Sequence, residues 1–266
     1  MRKMSGFVLS AAVFIALTAN GTAWADAFNI RPAAPGPIGT PLLQNVFNNI
    51  GSSINAVTDQ DAAALFQPMS IGGTLNSLFF ENPSAAYRNS NKFGIYSTDN
   101  PNLKLQIFSG ADGPITQHSV EFAKGAGFNG VELDNNPATL INGFGFTFGF
   151  YLISNGSGAT LYSEDSRNGG IAQALIYRGK GNKVNLFEAN DNVLGCHGGP
   201  GPIPCLSDAN SWYIAFEDLA GGGDHNYSDM VVQVDDIQPV PEPGSMALFG
   251  TGLLWVAGKA RRRGKK

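Results

Sequence analysis

GFGFTFGFYLIS, residues Gly143 to Ser154, sets small residues in alternation with Phe144, Phe146, Phe148 and Phe150. Successive side chains of an extended strand point to opposite faces, so this spacing predicts a strand with four phenylalanine rings on one side. That side is read as core. The glycines are not read as a phosphate-cradling loop, because no helix with an amide-lined N-terminus is predicted to follow them.

Outward from this stretch, the chain after Asn91 continues in short β-like runs punctuated by Gly, Asn, Asp and Pro: 92–96, 103–108, 119–122, 160–163, 173–178, 183–188, 212–216 and 229–234. Leu103, Leu105 and Ile107 alternate with polar neighbours, as do Val184 and Leu186. Such runs with no helices between them predict a mainly β fold, an antiparallel, jelly-roll-like β-sandwich over 91–237, and disfavour a parallel α/β enzyme fold. Upstream, residues 26–90 read as a lead-in with short helices. Asp26 to Pro41 is rich in Pro, Ala and Gly, Leu42, Leu43, Val46, Phe47 and Ile50 recur at helical spacing, and Asp61 to Phe66 is a second helical candidate.

Both ends read as targeting segments. Residues 1–25 combine Arg2 and Lys3, an apolar stretch from Phe7 to Leu17, and the small-residue site Ala23-Trp24-Ala25, the three parts of a secretory signal peptide. This predicts export through the Sec translocon. At the other end, residues 240–266 hold Pro241, Glu242 and Pro243, an apolar run at 245–258 and a basic tail at 259–266. The run predicts a C-terminal transmembrane helix. Its 14 residues span about 21 Å, short of the ~30 Å hydrocarbon core, so it is a marginal anchor that relies on flanking Arg and Lys. The positive flank predicts a cytoplasmic C-terminus.

The chain carries −4 overall, but the two basic ends hold 8 of its 17 Lys and Arg, which leaves 9 against 21 acidic residues, a net −12, between them. A body of that charge repels nucleic acid and anionic lipid, so no nucleic-acid partner is expected. The two cysteines, Cys196 and Cys205, enclose eight residues, and an oxidising compartment would let them pair, the alternative being two free thiols. The bridge would contribute about 2 to 3 kcal/mol.

Polar chemistry concentrates in FEDLAGGGDHNYSDMVVQV, Phe216 to Val234. Glu217, Asp218, Asp224, Asn226, Ser228 and Asp229 supply oxygen donors around a Gly221-Gly222-Gly223 turn. Asp224, Asn226 and Ser228 have the i, i+2, i+4 spacing with which a loop presents oxygens to calcium. The match to a helix-loop-helix calcium loop is partial, because Asp229 stands where Gly is required at its sixth position and Asp235 where Glu is required at its twelfth. Two readings stay open: a calcium site, or a hairpin turn capped by Asp224 and Asn226. Catalysis has little support. Glu217 and Asp218 would point to opposite faces if they continued one strand, and His118, His197 and His225 accompany no recognisable nucleophile.

The C-terminal stretch, with Val240-Pro241-Glu242-Pro243, an apolar segment and an Arg/Lys tail in order, resembles the PEP-CTERM sorting signal of Gram-negative bacteria. The resemblance implies recognition by an exosortase, transient anchoring in the inner membrane, and release to the cell surface or matrix of bacteria that make exopolysaccharide. Residues 143–234 resemble a domain of unknown function that recurs in bacterial extracellular proteins, through Gly145-Phe146, Tyr151-Leu152, Tyr162-Ser163, Asn168, Trp212, Phe216-Glu217-Asp218, Gly223-Asp224, Tyr227 and Asp229-Met230-Val231. Similar domains usually carry Asp where Asn226 stands and Asn where Ser228 stands. Together these readings predict an exported, non-enzymatic envelope or matrix protein with a structural or adhesive role. The alternative is a carbohydrate-binding or carbohydrate-active sandwich using Trp212, Tyr213, Tyr151 or Tyr87.

Overall fold

Phe148, Phe150 and Leu152 do line one face of a strand, and that strand lies inside a six-stranded sheet packed against a second, larger one. A computed structural model describes residues 43–70, 72–80, 90–110, 112, 116–184, 186–187, 193–194 and 206–240. Within them one helix, α1 (Leu43–Ile50), precedes the strands β1 (Gln60–Asp61), β2 (Leu65–Pro68), β3 (Thr74–Phe80), β4 (Lys92–Ser97), β5 (Lys104–Ser109) and β6 (Gln117–Lys124). There follow β7 (Gly130–Leu133), β8 (Asn136–Ile141), β9 (Phe148–Ile153), β10 (Thr160–Tyr162), a 3-10 turn at Asp165–Asn168, and β11 (Ala174–Arg178). The short β12 (Lys183–Val184), β13 (Leu186–Phe187), β14 (Val193–Leu194) and β15 (Leu206–Ser207) lead to β16 (Trp212–Phe216), β17 (Met230–Asp235) and β18 (Ile237–Pro239).

Every strand pairing among the described residues is antiparallel. One sheet runs β1-β11-β16-β17-β3-β6-β7-β8 and the other β18-β2-β9-β4-β5, with β10 on β9. The main core fills the space between them: Phe66, Phe93, Ile95, Phe148 and Phe150 from the smaller sheet meet Val120, Ile176, Trp212, Ile214, Phe216 and Val232 from the larger. Phe66 sets its ring edge-on to Trp212 at 5.1 Å and Phe93 stacks on Phe150 at 5.6 Å, offset and edge-to-face arrangements that add to the burial itself.

A third layer covers the outer face of the larger sheet. Leu43, Phe47 and Ile50 of α1 are fully buried against Leu175, Tyr177, Tyr213, Ala215 and Val231, with Phe47 edge-on to Tyr177 at 4.9 Å. Hence β16 and β17 are buried on both faces. Trp212, Ile214 and Phe216 face the sandwich core while Tyr213 and Ala215 face the helix. Such strands read as continuous apolar runs rather than alternations.

The expectation of a mainly β fold of antiparallel sheets with a short N-terminal helix holds. Several boundaries move. The 143–154 stretch is extended only from Phe148, because Gly143 and Gly145 take positive φ of 73° and 81° and turn the chain before β9 begins. Phe144 still reaches the core and Phe146 packs against it. Gly149 is small for another reason: a Cβ there would run into the Tyr96 ring and hydroxyl. Asp61 to Phe66 is not a second helix. Leu65–Pro68 is a strand that pairs with β9 and β18, and the burial of Phe66 between the sheets overrides the weak helical preference of Ala62 to Ala64. The sandwich therefore starts upstream of residue 91, since β2 and β3 sit inside its two sheets. The 183–188 run divides into β12 and β13, each two residues long.

Leu42, Tyr87, Cys196, His197, Cys205, the 1–25 segment and the 241–266 segment lie outside the described residues. Among the described residues no helix is long and apolar enough to cross a membrane.

Candidate functional site

The β16–β17 hairpin carries the polar cluster in its connection, residues 217–229. Its strands pair from Trp212 opposite Val234 to Phe216 opposite Met230, so Glu217 and Asp229 flank the mouth of the loop. The loop is held in a compact shape by backbone that few residues adopt: Gly221 and Gly222 take φ of 83° and 88°, and His225 and Tyr227 take 59° and 50°. Gln173, 1 % exposed, clamps the glycine turn, its amide nitrogen donating to the Leu219 carbonyl at 3.0 Å and its oxygen accepting from Gly221 N–H at 3.1 Å. The Tyr227 hydroxyl donates to the Ala172 carbonyl at 3.3 Å and fixes the returning limb.

Asp224, Asn226 and Ser228 bond mainly to one another. Asp224 Oδ1 accepts from Asn226 N–H at 3.2 Å and its Oδ2 accepts from Asn226 Nδ2 at 2.9 Å. Asn226 Oδ1 in turn accepts from the Ser228 N–H at 2.8 Å and from its hydroxyl at 3.0 Å. These are successive side-chain caps of a turn, which spend the Asn226 oxygen on the loop itself.

A different trio converges instead. Glu217, Asp218 and Asp229 each place a carboxylate oxygen within 4.8 Å of the others. Glu217 and Asp218 are not strand neighbours, because β16 ends at Phe216, and beyond it the chain turns both carboxylates to one side. Glu217 is 1 % exposed and Asp218 3 %. Glu217 Oε1 accepts from Leu219 N–H at 3.2 Å, whereas its Oε2 is buried without a hydrogen-bond partner. Gly223 packs against the same carboxylate so closely that a Cβ would collide with it. Asp229 Oδ2 accepts from Asp218 N–H at 3.1 Å, and Asp218 Oδ2 accepts from Asn91 Nδ2 at 2.9 Å.

The electrostatics follow from that crowding. Burial, and then the Asp229 charge, push the Glu217 carboxyl up to about 9. Burial and the Asp218 charge raise Asp229 to about 6, and burial raises Asp218 as well. Three acceptors held together in a dry place ionise together only if positive charge joins them, either protons or a cation. A purely carboxylate donor set suits a hard cation such as calcium and does not suit zinc or copper, which favour nitrogen and sulfur.

All six candidate ligands named from the sequence lie in this loop, and the three whose carboxylates converge are Glu217, Asp218 and Asp229 rather than the evenly spaced Asp224, Asn226 and Ser228. Sequence reading missed Asn91, which reaches Asp218 across a separation of 127 residues, and Ser157, whose hydroxyl donates to the Asp218 carbonyl at 3.4 Å. Asn91 and Ser157 flank β4 and β9 of the smaller sheet, and no periodicity marks a contact between sheets. The other candidates are spread out. Trp212 is buried between the sheets, Tyr151 on the opposite face of β9 from Phe150 and Leu152, and Tyr213 beneath α1, at 4 %, 2 % and 0 % exposure. His118 pairs with Asp134 at 2.6 Å, and His225 lies exposed against Gly222.

The geometry thus defines a helix-covered antiparallel sandwich with an acidic hairpin at one end. The family model described as Domain of unknown function (DUF4114) matches residues 144–236, a span that runs from ahead of β9 through both limbs of that hairpin. The PEP-CTERM protein-sorting motif matches residues 239–263. The chain therefore joins a DUF4114 domain to a C-terminal PEP-CTERM sorting motif, which implies export and processing by an exosortase at the membrane. No curated protein and no solved structure matched the chain.

Proposed function

We propose that the protein is a structural or adhesive component of the cell envelope or extracellular matrix, acting without catalysis, whose sandwich is locked by calcium held between Glu217, Asp218 and Asp229. The observation that supports the ion is Glu217 Oε2, buried among carboxylates with no donor reaching it from outside the acidic cluster. Near-complete burial of Glu217 and Asp218 favours a structural ion over a catalytic pair, because a polysaccharide would have no open face on which to meet them. Calcium outside the cell then acts as a folding switch: the ion completes the hairpin after export.

The same reading takes residues 1–25 as a Sec signal, Cys196 and Cys205 as a disulfide formed after export, 245–258 as a transient inner-membrane anchor, and the fold as jelly-roll-like. Exopolysaccharide is the expected partner of the released body. A sugar-binding role would need an exposed aromatic platform, and burial of Trp212, Tyr213 and Tyr151 leaves that reading without support among those three.

The sorting half is tested by replacing Pro241 and Glu242 with Ala in the native host. Accumulation of unprocessed chain in the membrane fraction is expected, and unchanged processing would refute it. Polysaccharide turnover by the purified protein, abolished in Glu217→Gln, would overturn the non-catalytic reading.

A further inference from the structure

Besides Glu217 Oε2, three buried side-chain oxygens among the described residues lack a hydrogen-bond partner: Asp208 Oδ1, Gln233 Oε1 and Asp235 Oδ1. All three belong to one locality, at the opposite end of the β16–β17 ladder from the acidic hairpin loop. Asp208 is 0 % exposed and Gln233 1 %. Gln233 and Asp235 stand two apart on β17 and so share a face, the one on which Val231 packs against α1. Across the ladder Gln233 is paired with Tyr213, whose hydroxyl donates to Asp208 Oδ2 at 3.3 Å. Ser52, just beyond α1, donates to the same Asp208 oxygen at 3.3 Å. Gln233 Nε2 donates to Ser211 Oγ at 2.7 Å, and Ser211 N–H donates to the Asp208 carbonyl at 3.1 Å, closing the turn that carries Asp208.

The donors within reach are already committed: Tyr213 and Ser52 serve Asp208 Oδ2, Gln233 Nε2 serves Ser211 Oγ, and Ser211 and Gln233 also reach the Asp235 carboxylate. One oxygen of each carboxylate and the amide oxygen of Gln233 remain buried without a partner, and no ion pair among the described residues brings a cation to them. Burial raises the Asp235 carboxyl, hydrogen bonds from Ser211 and Gln233 offset part of that, and the neighbouring Asp236 and Asp208 charges add to it. One shared proton would satisfy a single pair of oxygens and leave the third. A divalent cation would satisfy all three and balance the two negative charges. Oxygen-only ligands, with serine hydroxyls at hand, are those of a hard ion, and the irregular donor set fits calcium better than the strict octahedron of magnesium.

We propose that Asp208, Gln233 and Asp235 form a second calcium-class site, independent of the Glu217 cluster. The two sites cap the two ends of one ladder, separated by the five residue pairs from Trp212–Val234 to Phe216–Met230, roughly 13 Å or more of strand. The second ion ties the turn before β16 and the chain leaving α1 to the sheet, so it fastens the helical layer as the first fastens the hairpin loop.

Calcium titration of the purified full chain by calorimetry tests this. Two ions per chain are expected, with one lost in Asp208→Asn/Asp235→Asn and the other lost in Glu217→Gln/Asp229→Asn. If the first double variant binds as many ions as the unaltered protein, the second site does not exist, whatever the other variant shows. Loss of an ion only in Asp208→Asn/Asp235→Asn would support this site and reject the Glu217 cluster. Gln233→Glu guards against misfolding of that variant. A third carboxylate at an ion site should lower the calcium Kd by about tenfold and raise the melting temperature in calcium while lowering it in chelator. Equal destabilisation in calcium and in chelator would overturn the proposal.

Discussion

Glu217 and Asp229 stand opposite one another one step beyond the Phe216–Met230 pair, where the β16–β17 hairpin opens, and the buried Oε2 of Glu217 has no hydrogen-bond partner. An antiparallel ladder brings facing residues within about 5 Å, and like charges in that position repel. A hairpin that closes on two acids and adds a third, Asp218, is stable only with positive charge between them. The pH and metal responses of the protein follow from this pair.

In chelator, stability should fall as pH rises. Glu217 is raised to about 9 in the folded state, so the folded protein holds a proton there that the unfolded chain gives up near 4.5. Its stabilising contribution is complete below about pH 4.5 and is lost progressively up to about pH 9. Asp229, raised to about 6, adds to the same slope at the acid end. The melting temperature in chelator should be higher at pH 5 than at pH 8. Calcium should reverse or flatten that trend, because the ion displaces the protons.

Asn91→Ala should weaken the site from outside it. The substitution removes the donor to Asp218 Oδ2 and the acceptor of the Asn155 N–H. Urea unfolding should show a loss of about 1 to 3 kcal/mol, and calcium affinity should fall by about tenfold or more, the usual effect of losing a group that orients a ligand.

Phe47→Ala should uncover the outer face of the larger sheet. Its ring is fully buried between Tyr177 and Tyr213, with centroids 4.9 and 5.6 Å away. Truncation should cost about 3 to 5 kcal/mol in chemical denaturation. Hydrogen exchange should accelerate over residues 43–50 in particular, since α1 has eight residues and depends on packing rather than on its own propensity.

Gly149→Ala tests the alternation of small and aromatic residues. The methyl would displace the buried Tyr96 ring, with an expected loss of about 1 to 3 kcal/mol. An unchanged denaturation midpoint would show that β4 and β9 separate easily.

Much of this fold was legible because its strands obey a period of two where one face is polar. The 212–216 strand was read at its observed ends, and the Leu103, Leu105, Ile107 alternation led to β5. What escaped had physical reasons. β2 was hidden because Ala62 to Ala64 favour a helix locally, and only the placement of Phe66 against Trp212, far along the chain, decides otherwise. Alternating Gly and Phe fits both a strand and a series of positive-φ turns, so the spacing alone does not locate the start of β9. At the site, spacing alone drew attention to Asp224, Asn226 and Ser228, whose oxygens make local caps, while the convergence of Glu217 and Asp218 depends on where β16 ends. The cluster around Asp208 and Gln233 carries no sequence signature, since it assembles from α1's exit, a turn and two strands.

The most direct test compares melting in calcium and in chelator for the unaltered protein and for Glu217→Gln/Asp229→Asn. At free calcium about a hundredfold above Kd, each ion should raise the melting temperature by roughly 5 to 10 °C. The account predicts that the double variant loses the portion of the shift due to the hairpin ion and melts higher than the unaltered protein in chelator, because the buried repulsion is gone. A calcium-dependent shift of the same size in both proteins, or none in the unaltered one, would contradict it.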